Sequence, residues 1–479
     1  MEAFVRDHIM TNDPAYKRFI PFIVSFAFFM EALDTTIINT AIPAMAQSLA
    51  VNPVDLKIAL ISYLLSLAVF IPISGWLADR MGAKPVLLSA LSIFSLASLW
   101  CGFSHSLLEL VIARTFQGMG GAMMLPVGRL ILVRTFARHE LINTMSRVII
   151  VGALGVMLGP VLGGVITHYF SWHWIFWVNL PVGLFTITMV TLLLPHTQPK
   201  KVPPLDKLGF ILFGISLAGF TFSLSIFSES GEHTLMATAI MLSSILLMML
   251  YILHSRRKKH PIVKVELFYL RTFRISVFGN LFSRLGFGGM PFLMPLLFQI
   301  ALGYSAQASG FLIAPIALGI LAIKPFTLRM LRAFGYKKLL ITNTLCVGLG
   351  LCAFSFISNA TPWFVIAIFT FIYGFLTSTQ YSGMNSLAYI EISEEHLSAA
   401  TSIMSTLQQI SQSFGVAIGA LLLRYFSSQS AHGFTLSIAV FHHTFLALGM
   451  LTLLSTLIFL NLKPHDGDQM IYGTEAPAS

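Results

Sequence analysis

Charge is scarce in this sequence. Asp, Glu, Lys and Arg make up 10% of its 479 residues, against about 25% in an ordinary soluble domain, while 56% are hydrophobic. A chain so poor in charge is not a set of two or three soluble domains. Cysteine is scarcer still: Cys101, Cys346 and Cys352 each lie inside an apolar run, with no CxxC and no clustered His. That excludes a disulfide framework and a cysteine or histidine metal centre, and leaves buried reduced thiols as the expectation. No GxxxxGK[ST] occurs anywhere, so ATP-driven machinery is absent and no cofactor is implied. The net charge of +10 does not point to nucleic acid, because of where its cations sit.

What fills the chain is apolar length. Fourteen stretches run at about 19–45, 56–78, 85–103, 107–129, 144–168, 174–194, 207–227, 235–253, 273–300, 308–331, 338–358, 362–388, 401–424 and 440–462. Each approaches the roughly 20 residues that cross a bilayer as a helix. Hydrocarbon cannot bond a peptide group, so such segments cross as closed helices in contact with lipid. Lys17 and Arg18 ahead of the first run, with Ala44-Met45-Ala46 beyond it, have the outline of a signal peptide. Glu31 and Asp34 interrupt that run, and it is too long, so it is read as a retained helix. With the amino terminus placed inside, 23 of the 29 Lys and Arg fall in inner segments and only Lys57 and Arg424 in outer ones. This positive-inside bias puts both termini in the cytoplasm. The tail from Lys463 onward is short, polar and expected to be disordered.

The sequence also repeats weakly. Pro43-Ala-Met-Ala-Gln47 matches Pro295-Leu-Leu-Phe-Gln299, Gly82-Ala-Lys84 matches Gly335-Tyr-Lys337, and Gly159-Pro-Val-Leu-Gly163 matches Gly415-Val-Ala-Ile-Gly419. The order is kept and the offset stays near 253, so two related six-helix halves are expected, 19–194 and 273–462. Between them, 195–272 is a linker with two extra helices; 1–18 and 463–479 are tails. Paired halves around a central site are a transporter plan.

Charged residues inside the spans are costly and therefore informative. Glu31 and Asp34 are three apart, so both carboxylates share one helix face. Two close acids in a low dielectric cannot both ionise cheaply, and holding a proton is what a proton carrier needs. Arg114 cannot shed its charge; it must face either a carboxylate, as a structural ion pair, or a cavity. Arg114, Gln117, Gly118 and Gly121 share a face at i, i+3, i+4, i+7. Asn39, Gln117, Gln299, Arg284 and Lys324 are the expected lining of a substrate cavity. With Arg114, Arg129, Lys324 and Arg284 inside and only two acids, that cavity suits anions better than lipophilic cations. Snorkelling of Arg129 or Lys324 to the interface is the alternative. Gly155, Gly159 and Gly163 stack four apart, a stripe where another backbone can come close, and Pro160 permits a bend beside Gly164.

Four strings carry a resemblance. The loop Gly75-Trp-Leu-Ala-Asp79-Arg80-Met-Gly82-Ala-Lys84 resembles the signature loop of the major facilitator superfamily. Gly155-Val-Met-Leu-Gly159-Pro160-Val-Leu-Gly163-Gly164 resembles that family's antiporter motif. Leu33-Asp34-Thr-Thr-Ile-Ile-Asn39 and Trp172-His-Trp-Ile-Phe-Trp-Val-Asn179-Leu-Pro181 resemble motifs of its fourteen-helix drug:proton antiporters. Glu31 lies outside that first-helix motif, and in the second half Arg332 stands near where Asp79 would repeat. The resemblance implies an all-α membrane protein of the major facilitator fold, two six-helix bundles plus two central helices. It further implies a bacterial inner-membrane exporter rather than an enzyme, with a small molecule and protons as its partners. Asp34, Glu31 and Arg114 would couple the proton, the Gly75–Lys84 loop would gate, and a periplasmic or outer-membrane export partner is compatible with such a role. An anionic metabolite such as a polycarboxylate siderophore is the alternative cargo; a membrane enzyme or a transport-dead sensor are alternatives of another class.

Overall fold

The computed structural model describes residues 14–136, 138–195, 199, 201–227, 234–429 and 435–468. Most of both tails, including Arg6, and the linker residue Lys200 lie outside them. Every regular element among the described residues is helical, as lipid immersion requires. Two compact units form, one from 1–52 with 58–205, the other from 53–57 with 206–479. The extra helix pair thus belongs to the second unit.

In the first unit, α1 (Pro14–Ile37) is followed by a 3-10 turn at Ile38–Ala41 and a short helix at Ile42–Ser48. Then come α2 (Lys57–Met81), α3 (Ala83–Cys101), α4 (Leu107–Thr135), α5 (Arg138–Tyr169) and α6 (Asn179–Leu193). Only Gly82 separates α2 from α3, at φ 93°, a conformation that glycine adopts without a Cβ clash. Side chains cap the start of α4: Ser106 Oγ accepts from the Glu109 amide at 3.2 Å, and the Glu109 carboxylate accepts from the His105 amide, one residue before the cap, at 2.8 Å.

In the second unit, the extra pair is α7 (Lys207–Phe227) and α8 (Thr234–Arg257). The repeated half follows as α9 (Arg271–Phe287), α10 (Ala306–Ile323), α11 (Thr327–Ala353), α12 (Trp363–Leu387), α13 (Leu397–Ser428) and α14 (Ile438–Phe459). Gly335, at φ 67° and ψ 168°, breaks α11, so residues 327–334 go with the preceding span. Among the described residues, thirteen spans are long and apolar enough to cross a membrane. The remaining one, α13, has the length at 32 residues but carries Gln408, Gln409, Gln412 and several Ser on its course.

The sequence repeat reappears as geometry inside each unit. Gly82 and Gly335, 253 apart, both take positive φ at a one-residue link. The first helix of each half is interrupted: α1 by its 3-10 turn, α9 by a second helix at Met290–Leu296 and a π turn at Leu297–Ala301. The glycine stripes match too. A Cβ on Gly155 would lie 2.7 Å from Phe29 O, and one on Gly163 2.2 Å from Ile37 O, so α5 rides backbone to backbone on α1. A Cβ on Gly415 would lie 2.4 Å from Arg284 O, so α13 rides on α9 in the same way.

Two expectations are corrected. Only Cys101 is buried; Cys346 is exposed and Cys352 partly so, because an apolar helix in lipid buries only the face that meets other helices. Residues 463–468 are also ordered, since Asp466 pairs with Arg271 at the start of α9 and its other oxygen accepts from the Lys463 amide at 2.7 Å.

Candidate functional site: a caged carboxylate in the first unit

Asp34 sits on the last turns of α1, wholly buried and wholly engaged. Its Oδ2 accepts from Arg114 Nη1 at 2.7 Å. Its Oδ1 accepts from Gln117 Nε2 at 2.8 Å and from Asn179 Nδ2 at 2.9 Å. Gln117 Oε1 in turn accepts from Arg114 Nη1 at 2.8 Å and from the Cys101 thiol at 3.6 Å. Asn179 Nδ2 also reaches Ser98 Oγ at 3.1 Å, and Ser98 donates to Phe176 O at 2.8 Å. The Arg114 guanidinium lies 4.1 Å from the Tyr63 ring centre and 5.9 Å from that of Phe176. Helices α1, α2, α3, α4 and α6 therefore converge on one carboxylate. The spacing that put Arg114 and Gln117 on one face delivers both to it. Gly118 lets α2 approach α4, since a Cβ there would lie 2.6 Å from Tyr63 O.

A buried ion pair recovers its desolvation cost only when its other lone pairs and protons are bonded. Here the carboxylate takes three donors, while Arg114 Nε has no partner among the described residues. The cage thus holds the anion fully and the cation incompletely, leaving aromatic faces to share the cation's charge.

The other expected site residues fall as follows. Glu31, one turn before Asp34, is partly buried, with Asp34 and Arg129 as the charges that act on it. Asn39 is buried and spends its amide on Thr36 O, at 3.2 Å. Gln299 is partly buried in the π turn of the second unit. Arg284 is 8% exposed on α9, its guanidinium 4.0 Å from the Tyr381 ring centre, and it forms no ion pair among the described residues. Lys324 is exposed and donates to Ser382 at 3.4 Å. The charge-rich loop is built as a set of local ties. Asp79 pairs with Arg134 of α4, Arg80 stacks 5.1 Å from the Trp76 ring centre, and Trp76 donates to Pro203 O at 2.8 Å. Lys84 is buried and donates to Thr191 O at 2.9 Å and Leu194 O at 2.6 Å. It thereby places a cation on the unpaired carbonyls that end α6. Gly75 has open space where a Cβ would be. Gly159 would bring a Cβ to 1.9 Å from Thr36 Oγ1, and Pro160 and Gly164 are buried in the uninterrupted α5.

Ser98, Cys101 and Tyr63 join the site without a signal in the sequence: small neutral polar groups and a lone tyrosine in apolar helices read as packing. Asn179 has a signal, the Trp172–Pro181 string that contains it. In the turn ahead of α6, burial and then neighbouring His105 hold the His173 imidazole below its ordinary range.

The chain matches the Major Facilitator Superfamily over residues 24–270 and 276–471. It belongs to that superfamily. Among its curated relatives is the multidrug resistance protein MdtD (a provisional designation) of Escherichia coli K12, 37% identical over 467 residues, covering 96% of this chain and 98% of the relative. MdtD of Shigella boydii is equally similar. Solved neighbours include a D-xylose–proton symporter, with TM-score 0.65 at 15% identity, covering 93% of this chain and 98% of that one. Another is a bacterial homologue of the lysosomal transporter Spinster, with TM-score 0.64 at 14% identity, covering 94% and 97%. These neighbours establish the fold. This member of the major facilitator superfamily is a multi-pass membrane transporter and not an enzyme.

Proposed function

We propose that this transporter is a secondary antiporter of the inner membrane, exporting a small molecule while protons move inward, with both termini cytoplasmic. The observation that carries this reading is the three-donor cage around buried Asp34. When Asp34 takes up a proton its ion pair with Arg114 ends, and an uncompensated guanidinium in a low dielectric is costly. The neutral state therefore needs another partner for Arg114: the Tyr63 and Phe176 faces beside it, water, or cargo. Proton uptake at Asp34 and occupancy near Arg114 thus become linked, which is what exchange requires. Glu31 is a second acid on the same helix, and the α5 glycine stripe is a smooth track along which α1 can shift during alternating access. The relatives' name points to drugs as cargo.

A second reading, export of an anionic metabolite such as a polycarboxylate, is favoured by one observation: Arg284 is a buried cation with no carboxylate beside it among the described residues.

The test is cargo-driven proton movement in proteoliposomes, screened over drugs and carboxylates. Asp34→Asn is expected to abolish gradient-driven export while the protein remains folded by thermal unfolding. Undiminished proton-coupled export by that variant would sink the assignment.

A further inference from the structure

The second unit holds a recess of about 700 Å³ between the extra pair α7–α8 and the helices α9 and α13. Its wall is apolar, with Phe213 and Phe220 of α7, Met248 of α8, and Ile410 and Phe414 of α13 among its residues. Two cations stand at one end. Arg256 lies in the last turn of α8 and Arg274 in the first turn of α9. Both are exposed, and neither guanidinium forms an ion pair among the described residues. Their neighbour Arg271 differs: it is bound to Asp466 and donates to Asn461 O at 3.2 Å. Arg274 also borders a second recess of about 540 Å³.

The length of the first recess is telling. From Arg256 to Ser244, both of which line it, α8 advances about 18 Å, close to the roughly 15 Å depth of one leaflet's hydrocarbon. An occupant must therefore carry negative charge at one end and one leaflet's depth of apolar chain at the other. A free anion would leave the apolar wall unfilled. A zwitterionic lipid would bring an ammonium to two cations that already lack counter-charge. In α8 only Ala237, Ser244, Tyr251 and Ser255 are buried by protein, so most of that helix is open to lipid.

We propose that the recess binds an anionic phospholipid, its phosphate against Arg256 and Arg274 and one acyl chain along α7, α8 and α13, so that lipid fastens the extra helix pair to the second six-helix half. Guanidinium groups suit phosphate oxygens because they offer paired, parallel donors.

The test uses the full-length protein in mixed micelles containing equal phosphatidylglycerol and phosphatidylethanolamine, with retained lipid read by native mass spectrometry. The wild type is expected to keep phosphatidylglycerol selectively. The Arg256→Gln/Arg274→Gln variant should lose that preference, by roughly five-fold for each arginine removed. The control Arg257→Gln/Arg329→Gln, which sheds equal charge outside the recess, should keep it. In a second arm, phosphatidylglycerol with a photoreactive group at its chain end should label residues around Phe220, Met248 and Phe414. Absence of selectivity, equal losses in both double variants, or labelling spread over other helices would each overturn the proposal, whatever the cargo proves to be.

Discussion

At the scale of single residues, the site is an accounting of donors around one carboxylate. Removing one member of a buried pair strands the other and typically costs about 3–5 kcal/mol. Arg114→Leu is therefore expected to lower thermal stability in detergent sharply, because Asp34 then keeps only Gln117 and Asn179. Combining it with Asp34→Asn should restore part of the loss, since the double variant buries no lone charge; a double variant no more stable than the single would contradict the ion-pair account. Legibility follows the same physics. Asp34 and Arg114 could be picked out because charge inside an apolar helix is rare, and the 3.6-residue period brought in Gln117. Ser98 and Cys101 could not, since nothing in a one-dimensional pattern says that α3 passes the same point. Asn39 illustrates the converse: its polarity was visible, yet its amide caps a break in its own helix.

At the scale of elements, glycines set how closely helices approach. Gly163→Ala would thrust a methyl to within 2.2 Å of a backbone oxygen on α1; a backbone cannot swing aside as a side chain can. Such overpacking costs typically about 1–3 kcal/mol, so this variant should unfold at lower temperature. Gly75→Ala meets nothing within 4 Å inside α2 and should unfold no lower than the wild type, since Ala is the better helix former by about 0.5–1 kcal/mol; one thermal-shift series settles the contrast. The repeat was readable because each matched string governs such an element-level feature: a positive φ, a helix interruption or a close stripe. The span boundaries were less so. Hydropathy cannot see that the links at Gly82 and Gly335 are a single residue long, nor that α13, with its glutamines, is as long as α5.

At the scale of the molecule, interior charge differs between the halves. The first has an acid caged by an arginine, while Arg284 in the second has only an aromatic ring beneath it. A hydrogen bond to a charged group contributes about 1.5–3 kcal/mol, or roughly ten- to hundred-fold in binding. If the cargo is a carboxylate, Arg284→Gln should weaken its export by that factor and leave any neutral compound's export nearly unchanged. Equal effects on both, measured in proteoliposomes, would remove the anion reading. The grouping of α7–α8 with the second half was not legible, because their composition is that of any lipid-facing helix. The packing of Phe220 on Phe414 of α13, ring centres 5.1 Å apart, reveals the attachment.

The junction at Gly82 has no slack. One extra amino acid there would turn all of α3 by about 100° around its own axis, carrying the Lys84 ammonium off the carbonyls of Thr191 and Leu194 and taking Ser98 and Cys101 out of register with their neighbours. The hairpin therefore acts as a phase lock, and its shortness sets the alignment of a cluster far along the same rod.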